Sequence, residues 1–230
     1  MKTIGLLGGV SWHSTLEYYR HLNQYTNNKL GGYHSAKLLI YSFNFAEIRE
    51  LHATSEALLC KRLIKEARNI ENAGADCILI GANTLHMFYD EIQKELKIPI
   101  IHVADAIAES IKKGGIKKVG LLGTLATMEK SFYFERLKRK DIQVVVPEKH
   151  ERKIINDIIY HELVYGKISR ESKTRYLNII YSLIAKENIR GIILGCTEIP
   201  LLINTDDVSI PVFNSTEIHA ENAVEYALNG

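Results

Sequence analysis

Lys2-Thr3-Ile4-Gly5-Leu6-Leu7-Gly8-Gly9 is the stretch that decides the fold, because the chain repeats it as Lys117-Lys118-Val119-Gly120-Leu121-Leu122-Gly123-Thr124. Each copy is a short apolar run closed by glycine. That is the pattern of a strand buried on both faces, as in a parallel sheet. A second pair of segments follows the same plan. Ala75-Asp76-Cys77-Ile78-Leu79-Ile80-Gly81-Ala82-Asn83-Thr84 is mirrored by Arg190-Gly191-Ile192-Ile193-Leu194-Gly195-Cys196-Thr197. The separation from Gly5 to Ala82 matches that from Gly120 to Cys196 to within one residue. Equal spacing of two matched pairs predicts an internal duplication.

Working outward, strands and helices alternate. After the first strand, Ser11 and Ser14 offer N-caps for a helix running to about residue 28. Strands are predicted over 36–42, 76–80 and 98–102, and a helix over 56–72, where Leu58, Leu59, Leu63, Ile64, Ala67 and Ile70 recur at helical spacing. In the second half, strands are predicted over 117–124, 143–147 and 190–195, and helices over 176–187 and 215–228. The fold class is therefore α/β, with two pseudo-symmetric domains, each a parallel sheet flanked by helices. The expected domains are residues 1–103 plus 211–230, and residues 104–210. Open parallel sheets bind ligands beyond the carboxyl ends of their strands. The expected site is thus a cleft between the halves, lined by Gly8 and Ala82 on one side and Gly123 and Cys196 on the other.

Composition narrows the function. Of 230 residues, 46% are hydrophobic and 24% charged, so the chain is neither disordered nor low-complexity. The net charge of +2 gives no basic footprint for nucleic acid. The apolar N-terminal stretch is interrupted by glycines and too short for a signal peptide or a membrane span. Three cysteines make no disulfide framework and fit a reducing, cytoplasmic setting. The nine histidines show no metal-ligand spacing. The Gly8-Gly9 loop lacks both the dinucleotide glycine pattern and a phosphate-loop lysine. No cofactor is therefore expected, and neither a membrane nor nucleic acid is expected as a partner.

Three segments just after predicted strands could carry chemistry: Gly8-Gly9-Val10-Ser11-Trp12-His13-Ser14-Thr15, Gly81-Ala82-Asn83-Thr84-Leu85-His86 and Gly195-Cys196-Thr197-Glu198-Ile199. Each places small or hydroxyl residues where backbone amides are exposed, a receptor for carboxylate or phosphate. In this order the three resemble the aspartate/glutamate racemase family along the whole chain. The resemblance implies a cofactor-independent amino-acid racemase, often a homodimer, acting on a small amino acid or dicarboxylate. It implies two thiols, one per half, that remove and return the α-proton on opposite faces of Cα. A thiol serves as base if its environment lowers its pKa.

By this resemblance Cys196 is the thiol acid/base of the second half. Its counterpart in the first half is Ala82, which has no proton to give. Two readings of Ala82 stay open. It is an engineered replacement of cysteine or threonine, or it is natural and Thr84, a bound water or His86 carries the second proton. Asn83, Thr84 and Thr197, with Ser11, are placed to bind the substrate carboxylate and ammonium. Leu85, His86, His52, Glu198 and Lys167 complete the candidate substrate contacts, Lys167 because relatives place a lysine for the carboxylate in that segment. Cys60 and Cys77 read as core. Lys138-Arg139-Lys140 reads as a solvated helix end. Two other functions compete: a small-molecule binder without the chemistry, and a one-thiol isomerase or lyase acting on a dicarboxylic acid.

Overall fold

The computed structural model describes residues 1–229. It divides into two compact units, Met1–Val103 with the segment from His219, and Ala104–Ile218.

The first unit is built on a four-stranded parallel sheet, ordered β2-β1-β3-β4. Its elements, in chain order, are β1 (Ile4–Gly8), α1 (Trp12–Leu30), β2 (Leu38–Ser42), α2 (Phe45–Thr54), α3 (Glu56–Asn72), β3 (Cys77–Ile80), α4 (Tyr89–Gln93), β4 (Ile100–Ile101) and α5 (Val103–Lys113), which leads into the second unit. The strands use both faces. Ile4, Leu6, Cys77 and Leu79 face Tyr18 and Leu22 of α1. Leu7, Ile78 and Ile80 face Leu59, Leu63, Ala67 and Ile70 of α3. Each such side chain, fully buried, stabilises the unit by about 2 kcal/mol. Helix α3 has the bounds its apolar spacing predicts. Ser55 caps it, accepting a hydrogen bond from the Leu58 amide at 3.3 Å.

The second unit repeats the plan, with strand order β6-β5-β7-β8. It contains β5 (Lys118–Gly123), α6 (Leu125–Glu129), α7 (Ser131–Lys138), β6 (Gln143–Val145), α8 (Lys149–His161), α9 (Arg170–Glu187), β7 (Ile192–Gly195) and β8 (Val212–Asn214). The last helix, α10 (Ser215–Asn229), starts here and carries the chain back to the first unit. Its Ala220, Ala223, Val224 and Ala227 pack beside Tyr18 and Leu22. Helices α8 and α9 cover one face of this sheet, with Ile155, Ile158, Tyr176 and Ile180 against Leu122, Ile192 and Leu194.

Two expectations need correction. Residues 211–218 were expected with the first domain but belong to the second unit, because β8 pairs in parallel with β7, Ile192 opposite Val212 and Leu194 opposite Asn214. Three residues are too few to show a period, so pairing, not pattern, makes this strand. Helix α9 begins at Arg170 rather than 176: Ser169 caps it through the Ser172 amide at 3.0 Å, and its first turn is polar.

Candidate active site

In the first unit the carboxyl ends of β1 and β3 lie side by side, with Leu7 opposite Ile80. The chain leaves β1 through Gly8-Gly9 and enters α1. Gly9 has φ +86°, and a β-carbon there would stand 2.2 Å from the Phe43 nitrogen and 2.3 Å from its oxygen. Thr15 holds this loop. Its Oγ1 accepts from the Gly9 amide at 2.6 Å and donates to the Ser11 carbonyl at 3.3 Å. Ser11 occupies the N-cap position of α1 without a side-chain cap bond, and its hydroxyl lies 3.5 Å from that of Ser14. The two serines therefore face each other instead of capping.

Next to this loop, Gly81 leads into Ala82, Asn83 and a short 3-10 turn over Thr84–Phe88. Ala82, Asn83, Leu85 and His86 are buried, and Thr84 is half-buried. His86 is a brace. Its Nε2 accepts the Val103 amide hydrogen at 3.3 Å, so its ring proton is on Nδ1, which donates to the Ala82 carbonyl at 3.1 Å. Both ring nitrogens are thereby engaged. His52 lies in the last turn of α2, and its Nε2 is buried without a hydrogen-bond partner. His13 shares that property at Nδ1, with its ring stacked on Trp12 at 3.6 Å. Sequence reading passed over His13, because it fills the variable position of the Ser11–Thr15 motif.

In the second unit, β5 and β7 end side by side, with Gly123 opposite Gly195. The correspondence with the first unit extends to atoms. A β-carbon at Gly81 would meet the Leu7 oxygen at 3.0 Å, and one at Gly195 would meet the Leu122 oxygen at 3.0 Å. Each glycine lets two strand ends close up. Each is followed by the residue of interest, Ala82 in one unit and Cys196 in the other. Thr124, which follows β5, caps α6 through the Thr127 amide at 3.3 Å and is buried. Its position, matched to Gly9 by the repeat, was the available signal for it.

Cys196 is 8% exposed and belongs to the core cluster of α8 and α9. Its Sγ donates to Glu198 Oε2 at 3.0 Å, and Thr197 Oγ1 donates to the same oxygen at 2.7 Å. Burial, then the Glu198 carboxylate, pushes the thiol well above its ordinary pKa. The lowered pKa expected from sequence is thus reversed: at neutral pH the site holds a thiol. Thr197, expected to donate to a substrate carboxylate, has its proton directed at Glu198. Its oxygen can still accept from a substrate ammonium. Lys167 is exposed, its ammonium 5.9 Å from the Tyr165 ring centroid. Burial pushes Cys77 up to about 12 and also raises Cys60, so both are poor nucleophiles.

Among the described residues, no three His, Cys, Asp or Glu side chains group so as to hold a metal ion. No helix there is long and apolar enough to cross a membrane.

Comparison with known proteins agrees with this architecture. The family model described as Asp/Glu/Hydantoin racemase matches residues 7–223. A crystal structure of a putative Asp/Glu racemase from Yersinia pestis is 46% identical, with TM-score 0.92 over 99% of this chain and 100% of that one. That of an aspartate racemase homologue from Pyrococcus horikoshii OT3 is 40% identical, with TM-score 0.87 over 99% and 100%. The broad specificity amino-acid racemase RacX of Bacillus subtilis is 26% identical over 167 residues, 71% of this chain and 70% of that protein.

Proposed function

Since this chain belongs to the Asp/Glu/hydantoin racemase family, we propose that it is a cofactor-independent amino-acid racemase whose acid/base is the Cys196 thiol. The observation that carries this reading is the equivalence of Gly195-Cys196 and Gly81-Ala82. Each follows a central strand and is packed against the neighbouring strand end in the same way. Two-base inversion needs a proton carrier at both positions, and here one is a methyl group. His86 has both nitrogens engaged. The second proton therefore comes from the Thr84 hydroxyl or from a water bound beside Ala82. Within the first unit, Ser11, His52, Asn83 and Leu85 are the proposed contacts for the amino acid beside Ala82; within the second, Thr197 and Lys167 are the proposed contacts on the side of Cys196. Ala82 also favours a second reading, a one-thiol enzyme that exchanges the α-proton on one face with retention.

The test is proton exchange in deuterated water with both enantiomers of aspartate, glutamate and a wider amino-acid panel. At least one acid is expected to exchange its α-proton, with Cys196→Ala slower by a factor of about a hundred or more. Ala82→Cys and Ala82→Thr are expected to speed inversion more than exchange. Exchange unimpaired in Cys196→Ala would overturn the assignment of Cys196. Exchange with strict retention would favour the one-thiol reading.

A further inference from the structure

Three buried histidines of the first unit, His86, His102 and His219, take no part in the proton transfers assigned above. The His86 ring lies 4.6 Å from that of His102 and 5.4 Å from that of His219. Tyr89 stands edge-on to His102 at 5.0 Å, and Tyr18 to His219 at 5.6 Å. What this layer grips is backbone. β3 pairs with β4 at Ile78–Ile100 and Leu79–Ile101. Just past the last pair, His86 ties the Ala82 carbonyl on the β3 side to the Val103 amide on the β4 side, so an imidazole takes the place of a rung of the ladder. His219 holds the Ile101 carbonyl of the same segment at 2.7 Å. Residues 101–103 are thus fixed at both ends, and through His86 they fix Ala82.

The consequence lies on the far side of one peptide group. A trans peptide is planar, and its C=O and N–H point in opposite directions. A carbonyl of Ala82 held toward His86 therefore turns the Asn83 amide away from His86, and it sets the turn from which the Asn83 side chain projects. We propose that His86 is a positioning residue for the amino-acid site: its grip on the Ala82 carbonyl sets the Ala82–Asn83 peptide, and with it the Asn83 donors offered to the substrate carboxylate. The inference rests on the racemase reading. Negative charge builds on that carboxylate as the α-proton leaves. Donors fixed beforehand lower the barrier more than donors that must turn to meet the charge. Only the neutral imidazole with its proton on Nδ1 can act in this way, because the Val103 amide only donates and the Ala82 carbonyl only accepts. The rings of His102 and His219 pack against it and keep it in place.

The two functions of the ring can be kept one at a time. His86→Asn leaves an amide N–H where Nδ1 stood and so keeps the bond to Ala82. His86→Gln reaches the Nε2 position and offers its oxygen to Val103, but leaves the Ala82 carbonyl unheld. In the exchange assay, kcat is expected to fall about tenfold or more in His86→Gln, with KM changed by less than about threefold. His86→Asn is expected to recover most of that loss, whichever of the two proteins is the more stable. The backbone amide of Asn83 gives a readout that needs no turnover. Its proton–nitrogen cross-peak is expected to stay near the wild-type position in His86→Asn and to move in His86→Gln. Heteronuclear nitrogen spectra of the wild type are expected to show the His86 proton on Nδ1, and they serve if neither variant folds. A proton on Nε2, equal kcat in the two variants, or an Asn83 cross-peak displaced no further in His86→Gln than in His86→Asn overturns the proposal. If the wild type exchanges no amino acid, the racemase reading fails; the tautomer and the Asn83 cross-peak still decide whether His86 sets this peptide.

Discussion

At the scale of the residue, this molecule is marked by polar atoms buried with no internal partner. Thr216, at the start of α10, is 2% exposed, and its Oγ1 is buried with no hydrogen-bond partner, although its amide donates to Asn214 Oδ1 at 3.1 Å. An unsatisfied buried hydroxyl costs about 1–3 kcal/mol. Thr216→Val replaces that hydroxyl with a methyl of similar shape and leaves the backbone bond in place. It is expected to raise stability by about 1 kcal/mol, read as a higher denaturant midpoint at unchanged slope. A loss of stability would mean that the hydroxyl is satisfied in solution. Such features are not legible in sequence. The repeat marks position 196, but a spacing of two residues does not say that Glu198 turns its oxygen toward the sulfur, or that Thr197 spends its proton there. The reversed ionisation of Cys196 has the same origin, since burial and one carboxylate outweigh nearby amides.

At the scale of the element, what was legible follows from periodicity. Helix α3 shows four turns of apolar spacing, and its predicted bounds match the structure. The buried strands β1, β3, β5 and β7 were legible as apolar runs closed by glycine. Strand β8 was not, because it is three residues long and its neighbour defines it. Helix α2 buries only Ile48, which leaves no stripe to read. Among the glycines, Gly9 carries a test of how tightly the β1–α1 turn is built. Its positive φ and the backbone of Phe43 at 2.2 Å leave no place for a methyl group. Gly9→Ala is expected to cost at least about 2 kcal/mol, from left-handed strain and displacement of the chain after β2. It should also weaken substrate binding, since Ser11 moves with the loop. A melting temperature within error of the wild type would show that the turn relaxes cheaply.

At the scale of the whole molecule, the duplicated plan yields two units that differ in how they are completed. Each unit closes its own sheet, with β4 and β8 respectively, but only the first also takes back a distant part of the chain, from His219 onward. That return is secured by a determined set of hydrogen bonds. His219 Nε2 lies 2.7 Å from the Ile101 carbonyl, which can only accept, so Nε2 carries the proton. Its Nδ1 then accepts from the Tyr18 hydroxyl at 2.8 Å. Both side chains are wholly buried. Burial lowers the His219 pKa from 6.5 to about 4, although the Ile101 bond acts the other way, and burial pushes the Tyr18 phenol well above its ordinary value. The consequence for stability has a definite sign. Between pH 6.5 and about 4 the unfolded chain binds a proton at this histidine that the folded chain refuses. Unfolding therefore takes up protons, and stability falls as pH falls through this window. At 1.36 kcal/mol per pH unit the full loss is about 3 kcal/mol, most of it incurred below pH 6.5. His219→Gln forfeits some stability at every pH, because it cannot reproduce both bonds. It has no group to titrate, however, and the carboxylates that also titrate in acid are common to both proteins. Denaturant unfolding at intervals from pH 7.5 to 4.5 is expected to give curves that converge toward low pH. Parallel curves would mean that the imidazole is hydrated and titrates normally in the folded chain.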